Sequence, residues 1–562
     1  MSFTVAANNM IHGAGTTDLA FLDGKMYVGV TVGQGLDIVD FLSDQMLYYN
    51  AGGLYTYQGN IEERNDTAGI ATLSTTPAIV SGVVSAVSAV RDPLRYDEFD
   101  RPKHWWAVNT GVSGSTGPVS VYNPVDDAIY DGGNLNSTIT AKSGPAALAP
   151  NGGLALVVDL GSQEYVNWFS SVYSFYADFG TGWNEMYLNS GNGVNTHPFS
   201  SSVDWATLDI ADAPPLGGQS NIVAVGGDEG LILAFAHTGN DSAKTAIIAV
   251  TSSYNTPYMK GARAGAYPLN DANDRGGGGN NLTNNNTVTF ASGGPTGSYA
   301  NFVAASNQSL TLADDADFGG MSELTLLCWF KRDIDSGAAM VLMGKYDTAS
   351  AGDRSFLLQI DSADKINFQC ITSAGSVGAS PGNPATVIDT WYHVAATYDG
   401  TTMKVYLDGV LIGSAAQTGT VVDGTEPFCI GSHTSGSPNA NWFDGQIAGA
   451  FVGSTALTEA EVNLEYQRGQ RVLGGATATL ANTDVKSIQI DQNTGLAAIT
   501  TAANQTEIWD ITTGLRESID ATTTATINDA DVKLKSGAIL PEYITGRSGA
   551  IEFDGQERNV LG

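Results

Sequence analysis

The sequence predicts an all-β protein, a five- or six-bladed β-propeller interrupted by a second β-domain set into one of its loops. Three observations predict it. The composition suits short strands joined by tight turns: 42% of the 562 residues are hydrophobic, only 15% are charged and 67 are glycine. A strand–turn–strand pattern recurs along the chain in five copies. Residues 266–473, which read differently, separate its fourth and fifth copies.

The first copy is TTDLAFLDGKMYVGVTVGQGLDIVDFLSD, from Thr16. The second ends in KHWWAVNTGVSGSTGPVSVYNPVDD, from Lys103. The third and fourth begin at Gly144 and Asn221, and the fifth is VKSIQIDQNTGLAAITTAANQTEIWDITTG, from Val485. Each supplies three strands with room for a fourth, and a four-stranded unit of about 40–50 residues is a propeller blade. GLDIVDFLSD, GPVSVYNPVDD and QTEIWDITTG hold the same place in their copies, with Ile, Val or Trp alternating with polar residues. Trp509-Asp510 resembles the dipeptide of WD-repeat blades.

These boundaries give an N-terminal propeller part at 1–265, the insertion at 266–473 and a C-terminal propeller part at 474–562. Insertion into a loop is tolerated because domain termini often lie close together. The glycine run Gly276–Gly279 reads as a linker. The end, Asp529 to Gly562, is expected to add a last partial blade and pair with the N-terminal strand.

Charge narrows the function. With 25 basic and 58 acidic residues the net charge is −33, a field that repels a phosphate backbone and anionic membranes alike. Cys328, Cys370 and Cys429 are odd in number and lack C-x-x-C spacing, so they read as buried free thiols, with neither a disulfide framework nor a zinc site. The start, MSFTVAANNMIHG, lacks the basic and apolar regions of a secretory leader. The apolar stretch from Pro77 to Val90 is too short for a bilayer core of about 30 Å.

Within the insertion, strand-like runs are separated by Asp-Gly and Asn-containing turns. Leu324-Thr325-Leu326 to Trp329-Phe330, Trp391-Tyr392-His393-Val394-Ala395-Ala396-Thr397-Tyr398-Asp399-Gly400, Val405-Tyr406-Leu407-Asp408-Gly409, Phe443-Asp444-Gly445 and Leu457-Thr458-Glu459-Ala460-Glu461-Val462 stand in this order. The set resembles the laminin-G-like and pentraxin branch of the concanavalin A-like superfamily. The resemblance implies a two-sheet jelly roll that binds glycans or proteins, often through a calcium-bearing loop rim.

On that rim, Tyr346, Trp442 and Asp444 are the candidate glycan-binding residues, within Tyr346–Asp353 and Asn439–Asp444. An exposed indole at Trp442 can stack on the apolar face of a pyranose; the alternative is that it packs on the neighbouring loop. Asp347 and Asp353 are candidates to hold one calcium ion, which takes six to eight oxygens; otherwise they are ordinary turn acids. The second acidic cluster of pentraxins falls at Ser432-His433-Thr434-Ser435, where no carboxylate stands. His393 belongs to the sandwich wall.

An enzyme is not expected. Glycosidases need two carboxylates at fixed separation, and an alternating Glu-x-Asp-x-x-Glu strand is absent. Glu459 and Glu461 belong to the closing helix, and Asp97, Glu98 and Asp100 beside Arg95 and Arg101 read as a salt-linked loop. No G-x-S-x-G, H-E-x-x-H or phosphate-loop motif appears.

The segment Thr251-Ser252-Ser253-Tyr254-Asn255-Thr256-Pro257-Tyr258-Met259-Lys260-Gly261 resembles a junction in virion proteins of tailed bacteriophages, where exchangeable carbohydrate-binding domains interrupt a β-rich host domain. This implies a phage virion protein of the tail or its fibres, made in the host cytoplasm and present as a homo-oligomer or in many copies. Its partners are then other virion proteins and a host-surface glycan or receptor. A tail-nozzle or capsid-decoration protein, and a bacterial adhesin or lectin, are the alternatives.

Overall fold

A computed structural model describes residues from 16 to 520, leaving out 58–69, 111–118, 132–143, 170–185, 189–196, 213–218, 238–245, 434–440 and some shorter stretches. The expected last partial blade from Asp529 lies outside the described residues, as does the N-terminal segment before Thr16.

The described residues on either side of the insertion form five antiparallel meanders, each with its strands in sequence order. The first has six strands, from Thr16–Leu22 to Ile70–Ser74. The second runs from Ala86–Tyr96 to Ala128–Asp131 and the third from Ala146–Leu148 to Met186–Leu188. The fourth runs from Trp205–Asp212 to Met259–Lys260 and the fifth from Val485–Asp491 to Leu515–Asp520. Each repeat copy falls on one meander.

Successive meanders meet at or beside their first strands, where polar side chains accept from backbone N–H groups of a neighbouring meander. Val87 N donates to Asp18 Oδ2 at 2.7 Å and Leu148 N to Ser88 Oγ at 2.9 Å. Asn151 N donates to Asp212 Oδ1 at 3.2 Å. Ile488 N donates to Thr207 Oγ1 at 3.1 Å and Ile490 N to Asp209 Oδ2 at 2.6 Å. Buried donors are thereby satisfied without continuous pairing between sheets. The first junction also buries His104, whose ring meets Tyr27 Oη at 2.6 Å and Asp23 Oδ2 at 3.1 Å. Burial, helped by the nearby Lys25 charge, pulls this imidazole down to about 4.

The insertion is a sandwich of two sheets. One, here the helix-side sheet, has the order Thr289–Ser292, Ser298–Phe302, Gly445–Gly453, Leu324–Arg332, Tyr392–Tyr398, Thr402–Leu407, Val410–Ala416. The other, the outer sheet, has Thr283–Asn285, Ser309–Leu312, Phe428–Ile430, Met340–Tyr346, Arg354–Ile360, Ile366–Thr372, Gly375–Ala379. Alternate residues of both, among them Phe330, Cys328, Phe356, Phe368, Val394 and Ile447, fill one core. Cys328, Cys370 and Cys429 are buried and free, and burial pushes the Cys370 thiol up to about 12. At the hairpin tip Asp408 (φ 51°) and Gly409 (φ 75°) both adopt left-handed backbone, as a two-residue Asp-Gly turn requires.

The glycine-rich entry is no linker. Arg263–Tyr267 pairs with Gly445–Gly453, and the loop that follows is organised by Asp274, which accepts from the backbone N–H groups of Ala266, Gly276 and Asn280. The exit is helix α1, Glu459–Leu473, opened by a capping box in which Thr458 and Glu461 exchange side-chain and backbone hydrogen bonds. It lies so close to the helix-side sheet that a Cβ on Gly469 would come within 2.3 Å of the Trp329 ring.

Helix α1 also locks the insertion onto the fourth and fifth meanders. Arg468, 4% exposed, pairs with Glu465, donates to Asn255 Oδ1 at 2.6 Å and Thr256 O at 3.1 Å, and reaches Thr513 O at 2.6 Å. Asn255 Nδ2 donates to Ala478 O and Gly514 O. Lys260 Nζ meets Glu461 at 2.8 Å, and Arg471 meets Asp510 at 2.7 Å. The hub residues Asn255, Thr256, Tyr258 and Lys260 all come from the junction segment that the sequence singled out.

Candidate functional site

The predicted rim residues divide into three local settings. Tyr346 ends the strand Met340–Tyr346 on the outer sheet's far face and is only 8% exposed. Its hydroxyl donates to Gln369 Oε1 at 3.1 Å, the Arg354 guanidinium lies 5.2 Å over its ring, and His433 approaches edge-on at 6.1 Å. Alternation gives Gln359, Asn367 and Gln369 the same face, and Gln369 Nε2 donates to Asn367 Oδ1 at 3.3 Å. Val341, Tyr346, Leu357 and Ile371 form a small apolar cluster there. Tyr346 is therefore held within this face, where the sequence reading made it a contact on an open rim.

Trp442 is half-buried, and its indole N–H is buried without a hydrogen-bond partner among the described residues. Its neighbour Asn441 links to His433 at 3.0 Å, so the Trp442 segment and Tyr346 share His433 as a common neighbour. Residues 434–440, and with them Asn439 of the expected rim, lie outside the described residues. Asp444 does structural work. Its Oδ2 accepts from Ala304 N at 2.8 Å, and its carbonyl accepts from Asp333 N at 3.1 Å.

Asp347 and Asp353, the candidate calcium ligands, stand in a turn that is hydrogen-bonded within the protein. Asp347 N donates to Asp353 O at 2.9 Å, closing the turn. The carbonyl oxygens of Asp347 and Thr348, which a calcium ion would need, already accept from Arg354 at 2.8 and 2.7 Å. Asp353 Oδ1 accepts from Thr425 Oγ1 at 2.9 Å. Nearby, Lys345 is fully buried at Nζ between Asp314 (2.7 Å) and Asp423 (3.0 Å). A guanidinium and an ammonium thus supply the positive charge at this end. Among the described residues no group of three or more His, Cys, Asp or Glu side chains is placed to hold a metal.

His393 is buried against Trp329 (ring centroids 5.2 Å) and Tyr466 (6.3 Å), with neither ring nitrogen hydrogen-bonded among the described residues. Burial alone brings it down to about 3, so it is neutral at physiological pH. In the RYDEFDRP loop Asp97 is salt-linked: Arg101 holds it at 2.8 Å and also reaches Asp40, outside the loop, at 3.1 Å. Gln359, Asn367, Gln369 and Arg354 were missed in the sequence. Period-two alternation of amides along neighbouring strands was the available signal.

Comparison with known proteins places a concanavalin A-like domain within the insertion: residues 304–463 match the family model described as the concanavalin A-like lectin/glucanases superfamily. Among solved structures, the chain is similar to domain 4 of an extracellular arabinanase from Geobacillus stearothermophilus in complex with arabinotriose, at 19% identity over 36% of this chain and 95% of that one, with a TM-score of 0.28. It is similar to the binding domain of Paraclostridial Mosquitocidal Protein 1 at 19% identity over 34% and 48%, TM-score 0.29. The pentraxin of Limulus polyphemus gives 19% identity over 26% and 70%, TM-score 0.22. A comparison with curated proteins finds no match. No helix among the described residues is long and apolar enough to cross a membrane.

Proposed function

We propose that this chain is a structural protein of a tailed-bacteriophage particle, in the tail or its fibres, whose inserted lectin-like domain binds a host-surface glycan. In this reading the five meanders are blades of one propeller, joined through their first strands. The observation that carries the proposal is the mounting of the insertion. A concanavalin A-like sandwich is set between the fourth and fifth meanders and fixed there by the buried Arg468 hub, so that it is held in one orientation. A rigid mount saves the ordering entropy that a tethered binder loses on each encounter. The junction segment Thr251–Gly261, which resembles those of phage virion proteins, builds that mount.

The protein is proposed as a binder without hydrolase activity. The sugar-binding part is tested by exposing the full chain to a panel of immobilised bacterial surface polysaccharides and defined oligosaccharides. Saturable binding, competed by free sugar and without release of reducing ends, is expected. Binding to none of them contradicts the lectin reading, and reducing-sugar release abolished by one Asp or Glu substitution contradicts the binder reading. The virion part is tested on purified particles: an antibody to the insertion should label the tail and block adsorption. Labelling of the capsid or nozzle moves the protein elsewhere in the particle, and its absence from particles contradicts the virion assignment.

A further inference from the structure

The helix-side sheet is covered along only part of its outer face. Phe330, Ile447, Ala300 and Phe302 point into the core, so Lys331, Gln446, Tyr299 and Asn301 point the other way. Lys331, Gln446 and Asn301 stand in one cross-strand row, and Trp391, next to the Phe330 partner Tyr392, extends it. Two residues back on the same face, Trp329 and His393 pass under α1, where the Trp329 ring stacks on Tyr466 at 5.8 Å. The row lies beyond those two residues, beside the helix.

Two rings converge on the row. Tyr299 and Trp391 come from strands separated by two others, yet their centroids are 6.1 Å apart with an interplanar angle of 66°. Both are partly exposed. Lys331 Nζ lies 6.0 Å from the indole centroid and makes no ion pair among the described residues. Gln446 is 8% exposed, and its Nε2 donates to Asn301 Oδ1 at 2.9 Å and to Asp333 Oδ2 at 3.0 Å. Those acceptors fix the amide, because turning it over would point its oxygen at a carboxylate. Gln446 Oε1 is left buried with no hydrogen-bond partner among the described residues. An orphaned acceptor beside two rings, an amide and a carboxylate is unusual for a sheet surface that only covers a core.

We propose that this row is a carbohydrate subsite for a neutral hexopyranose, an inference that rests on the lectin reading and gives it a location. The Trp391 indole is the platform for the apolar face of the sugar, and Tyr299 walls one side. Lys331 sits at the outer limit of cation–π distance, so it is weakly held and yields the indole face to a ring. Once displaced, its ammonium donates to sugar hydroxyls, and Gln446 Oε1 and Asp333 accept from them. Charge selects the class. Lys331 and Asp333 cancel, while the chain carries −33 overall, so an acidic sugar meets an adverse field.

The test uses the full chain and a panel of neutral gluco-, galacto- and manno-configured oligosaccharides beside sialylated and uronate-bearing ones. Binding of a neutral member with little dependence on salt is expected, with at least a tenfold loss in Trp391→Ala. Because that variant can also lose packing, Tyr299→Ala and Lys331→Met are measured with it. Each is expected to weaken binding severalfold at unchanged melting temperature, while Leu94→Ser, at an exposed position in the second meander, binds as the parent does. Sugar binding that all three strip variants leave intact overturns the subsite and leaves the lectin reading standing. Binding confined to acidic sugars overturns the neutral class. Failure of the parent chain to bind any sugar removes the lectin reading and the subsite together.

Discussion

The sandwich has two outer faces, and they are built from opposite chemistry. The helix-side face presses Leu327, Ala395, Tyr406 and Phe451 into an apolar cluster shared with the fourth and fifth meanders, closed by the fully paired charges Arg468, Glu465, Lys260 and Glu461. The outer sheet's far face carries Tyr346 and the neutral amides Gln359, Asn367 and Gln369 over a small apolar cluster. Paired buried charges suit a permanent contact, because each fixes the other's geometry and neither tolerates a substitute. Neutral amides and phenols exchange partners at lower cost, which suits a surface that meets water or sugar. Paired buried charges therefore mark where this domain is attached, whereas the far face is built from neutral amides over a small apolar cluster. The Trp391 row, at the margin of the attached face, carries one charge of each sign.

The largest expected effect breaks the attached side. Arg468→Ala leaves Glu465 and Asn255 buried without their partner and is expected to cost about 3–5 kcal/mol, read from chemical denaturation. Adding Glu465→Ala should recover part of the loss; a single variant as stable as the parent would mean that the hub does not hold the insertion. Next comes pH. His393 and His104 are held near 3 and 4, below their unfolded value of about 6.5. Both are therefore neutral when folded, their full contribution is present above pH ~6.5, and it is lost as the pH falls towards those folded values. The loss is about 1.4 kcal/mol per unit for each histidine that titrates only in the unfolded chain. His393→Phe should flatten this acid limb between pH 6.5 and 4, and an unchanged limb contradicts the burial of a neutral ring.

Smaller effects sharpen the unattached side. Calcium or a chelator should leave the melting temperature of the parent unmoved, because Arg354 already holds the carbonyls of the Asp347 turn and Lys345 pairs with Asp314 and Asp423; a calcium-dependent rise of several degrees contradicts this. Tyr346→Phe removes one hydrogen bond to Gln369 and should cost about 0.5–1.5 kcal/mol. A larger loss would make Tyr346 part of a more rigid structure than its neutral partners suggest.

Much of this was legible in the sequence, and the rest failed for identifiable reasons. The strands of the insertion and its capping box could be read because alternation and Thr458-x-x-Glu461 are local. The five repeat copies located the five meanders for the same reason. The site was less legible. Tyr346 and Asp347 looked like rim residues because they follow a strand, but Arg354, seven residues after Asp347, folds back over both. Asp444 looked like a ligand contact, and its carboxylate serves Ala304, far away in sequence. The glycine run looked like a linker because its organiser, Asp274, acts through backbone contacts that no spacing rule reveals. The Trp391 row joins four strands that are not neighbours in sequence, so it exists only after the sheet order is known.

In the proposed function the insertion receives the ligand while the meanders carry it. Amide hydrogen exchange of the full chain, with and without the tightest sugar from the panel, tests this most directly, since protection reports which backbone the ligand stabilises. New protection is expected within 263–473, strongest at Ser298–Phe302, around Gln446 and at the Trp391 end of Tyr392–Tyr398, with the five meanders unchanged. Protection confined to the meanders, with the sandwich exchanging as before, would contradict it.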